Sequence, residues 1–165
     1  MDTDLKDLFS LKNDVFRVYL TYAILLVFKM MFLSFYTSIM RGTFGVYMEA
    51  NREDAKLWAM FPEESSKDKL RIQRVRDRVD RIRRCHLNDL ENIPAFLIVG
   101  LLFVAINPPL YVASIYYRVF TAARYIHCVA YLLPLPQPCR AVAFGSGSVI
   151  TVLMGVEILK AAALF

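Results

Sequence analysis

The chain has 165 residues, 57% of them hydrophobic and 21% charged, with a mean hydropathy of +0.41. So apolar a chain carries a near-average charge only if the charge is segregated, and it is: Arg41 to Arg84 hold 12 of the 20 basic and 8 of the 15 acidic residues, whereas everything from Cys85 onward holds four basic and three acidic. That pattern excludes an ordinary soluble enzyme, a disordered protein and a secreted disulfide scaffold, and leaves an all-α integral membrane protein with one charged, water-facing segment.

Four apolar stretches, each near the ~20 residues that cross ~30 Å of hydrocarbon, predict a four-transmembrane-helix bundle in a single domain. The first span runs over about 15–40 and contains Arg17 and Lys29. It is not expected to be a signal peptide, because its flank carries Asp2, Asp4, Asp7 and Asp14 and the apolar run is too long. A charged loop over about 42–76 follows. The second span, about 77–106, opens with a polar helical lead-in and turns apolar near Leu90. Asn107-Pro108-Pro109 separates it from the third, about 111–133; Pro134, Pro136 and Pro138 precede the fourth, about 139–162. Run length and the lack of alternation predict helices rather than barrel strands.

About a dozen basic residues lie between the first span and the apolar part of the second, none lies in the 107–110 turn, and the prolyl loop ends in Arg140. The positive-inside rule therefore places the long loop and the prolyl loop in the cytosol and both termini in the lumen. A site using cytosolic substrates belongs where those two segments meet. The net charge of +5 is explained by this orientation, so no nucleic-acid partner is expected. Cys85, Cys128 and Cys139 lack C-x-x-C spacing and predict neither a metal site nor a disulfide framework.

The residues with chemical potential cluster at the second span's entrance. Arg84, Asn88 and Glu91 fall at i, i+4 and i+7, one helical stripe. A lone arginine there reads as a snorkelling topology signal, but topology does not need the carboxylate. In the third span Arg124 sits within apolar sequence seven residues before Tyr131, and requires a partner such as Glu91, a backbone carbonyl or a bound ligand. His127 reads first as a structural histidine and second as a ligand. Together these groups suit a small zwitterion with several carboxylates: arginines take carboxylates bidentately, Glu91 an ammonium, Asn88 a peptide amide.

The string Arg83-Arg84-Cys85-His86-Leu87-Asn88-Asp89-Leu90-Glu91-Asn92, with Pro134-Leu135-Pro136-Gln137-Pro138 and Arg140, resembles the microsomal glutathione transferases of the MAPEG family, membrane-associated proteins of eicosanoid and glutathione metabolism. Lys29-Met30-Met31-Phe32-Leu33-Ser34, Gly100-Leu101-Leu102, Arg118-Val119-Phe120, Ala123-Arg124 and Ala130-Tyr131-Leu132 extend the likeness to most of the chain. The resemblance implies a homotrimer in the endoplasmic reticulum or outer mitochondrial membrane, with glutathione as co-substrate and no metal. It implies binding of glutathione between subunits at the cytosolic face, by Arg41, Arg83, Arg84, His86, Asn88, Glu91, Arg124 and Tyr131. Arg140 is implied as the catalytic residue beside the sulfur, and hydrophobic electrophiles or lipid hydroperoxides from the bilayer as the second substrates.

The sequence departs from the family at three points. Alanine, Ala55, stands where the transferases often carry a regulatory loop cysteine, Cys85 stands where alanine is usual, and the loop is about two residues longer before Ala50. The prostaglandin E synthase branch, a glutathione-dependent isomerase, places serine after the catalytic arginine, where this chain has Ala141. That isomerase and a non-catalytic membrane subunit are the alternatives to a transferase.

Overall fold

A computed structural model describes residues 5–43, 66–133 and 135–162, with side chains described over 6–40 and from 73 onward. Among the described residues a short helix α1 (Leu5–Leu8) is followed by four long ones: α2 (Asp14–Thr43), α3 (Ser66–Ala105), α4 (Leu110–Leu132) and α5 (Gln137–Ala161). The described part of the chain is all α-helical.

Local chemistry sets the ends of these helices. Asn13 caps α2: its Oδ1 accepts the Val15 N–H at 2.9 Å while its Nδ2 donates to the Leu8 carbonyl at 2.8 Å. Asn107 ends α3 with a φ of 48°, a left-handed conformation asparagine tolerates, and Pro108-Pro109 prevents the helix from resuming before Leu110. At the other turn Pro138 sits in the first turn of α5, where its missing N–H costs nothing.

α3 begins at Ser66, upstream of the lead-in read from about Asp77, because Ser66–Arg84 supplies good helix formers and no proline. Its 40 residues extend ~60 Å, about twice the hydrocarbon thickness, so its charged first half projects into water. Among the described residues three helical segments, Asp14–Met40, Gln73–Ala105 and Gln137–Ala161, are long and apolar enough to cross a membrane. α4 is long enough at 23 residues, but Arg118, Arg124, His127 and five tyrosines lower its apolarity.

α3 and α4 form the central antiparallel pair, with α2 and α5 each packed against both. The rings of Phe96 and Phe120 stack at 3.6 Å, Tyr117 donates its hydroxyl to the Gly100 carbonyl at 3.0 Å, and Tyr19 of α2 donates to the Leu97 carbonyl at 3.0 Å. Gly100 permits this approach: a Cβ there would lie 3.0 Å from the Tyr19 ring. Such close packing and interhelical hydrogen bonds carry association in a bilayer, where the hydrophobic effect between helices is lost. Leu20, Ile24, Phe28, Phe32, Phe35 and Ile39 of α2 remain exposed, an outer face suited to lipid or a neighbouring chain.

Candidate functional site

Polar side chains are concentrated at the end of the bundle where the water-facing half of α3 meets the α4–α5 turn. Asp89 and Lys29 lie deepest. The Lys29 ammonium donates to Asp89 Oδ2, with the two side chains 4% and 0% exposed. The pair ties α2 to α3 and lets each charge exist away from water. Asp89 Oδ1 has no hydrogen-bond partner among the described residues.

Asn88, one residue before Asp89, points toward α4. Its Oδ1 accepts Arg124 Nη1 at 3.0 Å, and Arg124 Nη2 donates to the Phe144 carbonyl of α5 at 3.3 Å. The guanidinium also lies 5.5 and 5.6 Å from the ring centroids of Phe120 and Phe144. Arg124 is fully buried, so one cation joins three helices through an amide, a carbonyl and two aromatic faces.

Above this network a cavity of about 270 Å³ opens between α3, α4 and α5, lined by Asn88, His127, Tyr131, Gln137, Arg140, Ala141 and Phe144. The Arg140 guanidinium packs 4.9 Å from the Tyr131 ring centroid, and the His127 and Tyr131 rings lie 4.9 Å apart. Three buried nitrogens at this end, Arg140 Nε, His127 Nδ1 and His86 Nδ1, have no hydrogen-bond partner among the described residues. A buried polar atom without a partner is costly, so a cavity walled in part by Arg140 and His127 is suited to a polar ligand. Among the described residues no three His, Cys, Asp or Glu side chains converge as a metal site.

Of the residues singled out in the sequence, Asn88, Tyr131 and Arg140 share the cavity wall. Arg124 stands behind it, bracing Asn88, and Glu91 is not its partner. Arg83, Arg84 and Glu91 are exposed and His86 is half-buried, none of them on that wall. The stripe divides for a helical reason: at ~100° per residue, Asn88 and Glu91 sit about 60° apart on opposite sides of Arg84. Arg41 lies in the last turn of α2, but its side chain is outside the described residues, as is Ala55. Sequence reasoning missed Gln137, Phe144 and the Lys29–Asp89 pair. Gln137 had a signal, being the one polar side chain in the prolyl string; a carbonyl acceptor such as that of Phe144 has none.

The MAPEG family profile matches residues 19–160. Microsomal glutathione S-transferase 1 of Sus scrofa is 43% identical over 150 residues, covering 91% of this chain and 92% of that protein. The Homo sapiens protein of the same name is 43% identical over 148 residues, covering 90% and 91%. Prostaglandin E synthase of Equus caballus is 35% identical over 94 residues, covering 57% of this chain and 61% of that protein.

Proposed function

The chain belongs to the MAPEG family, and from that premise we propose that it is an integral membrane glutathione S-transferase, joining the glutathione thiolate to hydrophobic electrophiles. The same thiolate reduces lipid hydroperoxides in this reading. The observation that carries it is the cavity at the polar end of the bundle, where Arg140, Asn88, His127, Tyr131 and Gln137 present polar groups into one space. The 43% identity to microsomal glutathione S-transferase 1 over nine-tenths of both chains supports it over the isomerase, whose relative aligns with 57% of the chain.

The chemistry required is deprotonation of a thiol whose ordinary pKa is about 8.5. Increasing the thiolate fraction ~100-fold at neutral pH needs about 2.7 kcal/mol of preferential stabilisation. A guanidinium within hydrogen-bond reach of the sulfur supplies an interaction of that size where solvent screening is weak. Arg140 is assigned this role: it lines the cavity and its Nε is a buried donor without a partner among the described residues. Asn88, held by Arg124, offers its amide to the peptide, and Tyr131 packs against the guanidinium and orients it.

At about 270 Å³ the cavity falls just below the ~300–1,000 Å³ of complete small-molecule sites. Exposed Arg83, Arg84 and Glu91 on α3 are then groups that a second copy brings to the same ligand, with Arg41 and His86 completing the set. This supports a homotrimer of four-span subunits with glutathione between neighbours. The membrane is that of the endoplasmic reticulum or the mitochondrial outer membrane, with the site facing the cytosol.

Equilibrium dialysis of glutathione against the detergent-solubilised protein, paired with turnover of a hydrophobic aryl halide, tests the reading. Saturable binding and thioether formation are expected. Absence of glutathione affinity would leave only a non-catalytic membrane subunit.

A further inference from the structure

The α3–α4 seam runs in a regular antiparallel register. From the lumenal end, Gly100 meets Tyr117, Phe96 meets Phe120 and Asn88 meets Arg124. The next inward-facing residues toward the cytosolic end are Cys85, three positions before Asn88, and Cys128, four after Arg124. Both belong to one buried cluster with Leu33 and Ile82. Cys85 is 0% exposed and Cys128 9%, both are free thiols, and each thiol lies within interaction range of the other.

We propose that Cys85 and Cys128 form a redox modification site, a dithiol that an organic hydroperoxide dissolved in the bilayer converts to an intrasubunit disulfide linking α3 to α4. Helices packed with axes about 8–10 Å apart bring directly facing Cα atoms to about 3.4–5.4 Å. That range overlaps the ~4.4–6.8 Å a disulfide spans. Cys128 is the more accessible thiol and reacts first. Its sulfur attacks the peroxide, the O–O bond breaks, and Cys128 becomes a sulfenic acid while the hydroperoxide leaves as an alcohol. The Cys85 sulfur then displaces the hydroxyl, which departs as water with the Cys85 proton. In total two thiols lose two electrons and two protons, and one hydroperoxide becomes an alcohol and water. Neither step uses glutathione, so the site does not rest on the function assigned to the cavity.

The site adjoins that cavity. Cys128 follows His127, which lines it, and the Cys85–Cys128 rung lies next to the Asn88–Arg124 hydrogen bond. A covalent link here fixes the spacing of two of the three helices that form the cavity wall.

The test uses full-length protein in lipid nanodiscs without glutathione, carrying Cys139→Ala to remove the exposed thiol, and cumene hydroperoxide as the probe. The expected result is a loss of about 2 Da in intact mass, reversed by dithiothreitol, with peptides around Cys85 and Cys128 joined in the unreduced digest. Adding Cys85→Ala should stop the cross-link and leave a sulfenic acid at Cys128 that dimedone traps; adding Cys128→Ala should leave Cys85 unmodified. Serine replaces alanine in any variant that fails to fold, with the same expected products. Unchanged mass at a dose that fully oxidises Cys139 in the unsubstituted chain would overturn the proposal. So would a disulfide found only between two subunits, or a faster reaction with hydrogen peroxide than with cumene hydroperoxide.

Discussion

Lys29 of α2 and Asp89 of α3 form an ion pair in the interior of the bundle, each almost completely withdrawn from solvent. A buried pair of this kind adds little over a well-packed apolar pair, but removing one member leaves an uncompensated charge. Lys29→Met and Asp89→Leu should each lower stability by about 3–5 kcal/mol, and the double variant should recover most of that loss. Unfolding midpoints in mixed detergent micelles measure all three. Additive losses in the double variant would show that the two side chains do not act as a pair.

That pair also marks the limit of what the sequence makes legible. Spans and breaks can be read because they depend on local composition: apolar runs of sufficient length, the prolines after Asn107 and around Gln137, and the segregated charge. Asn88 and Arg140 can be read because their motif is contiguous. Lys29 and Asp89 are 60 positions apart, and neither carries a mark of the other; Lys29 reads merely as an interruption in an apolar span. The Arg124–Phe144 contact is hidden for a different reason, because any residue offers a carbonyl and only tertiary placement selects one. The polar stripe misled in part, since seven residues return a helix to nearly the same bearing but Asn88 is turned toward α4 and Glu91 away from it.

Arg140 faces the cavity from the first turn of α5, with a buried Nε that has no partner among the described residues. Arg140→Leu keeps an apolar stem and removes the charge that favours a thiolate. Turnover should fall about 100-fold, the kinetic equivalent of about 2.7 kcal/mol. The ultraviolet absorbance of bound glutathione thiolate at neutral pH should fall with it. An unchanged thiolate band in the variant would take Arg140 out of this role.

Glu91 is exposed on a single chain and lies off the cavity wall. In the proposed trimer its carboxylate instead takes an ammonium or an arginine at the subunit boundary. Glu91→Gln preserves the shape and should weaken glutathione binding by about 1.5–3 kcal/mol, the contribution of a charge-assisted hydrogen bond. Isothermal titration of the detergent-solubilised protein reads this, and chemical cross-linking shows whether the subunits stay associated. Wild-type affinity in an intact assembly would place Glu91 outside the site.

Gly147 gives the most direct handle on Arg124. A Cβ at this position would lie 3.1 Å from Arg124 Nη2 and 3.2 Å from Nε, tighter than carbon and nitrogen normally pack. A long side chain usually yields at little cost, but this guanidinium is held by Asn88 and the Phe144 carbonyl and bounded by two rings. Gly147→Ala should therefore break the Phe144 hydrogen bond, loosen Asn88 and lower stability by about 1–3 kcal/mol. Through Asn88 it should also weaken glutathione binding. Alanine at Gly155, where an added Cβ meets nothing within 4 Å, is the control. Helix propensity alone favours that change by about 0.5–1 kcal/mol. Thermal unfolding of the two variants separates the effects: if Gly147→Ala is stabilising to the same degree as Gly155→Ala, Arg124 moves freely and cannot be bracing the cavity wall.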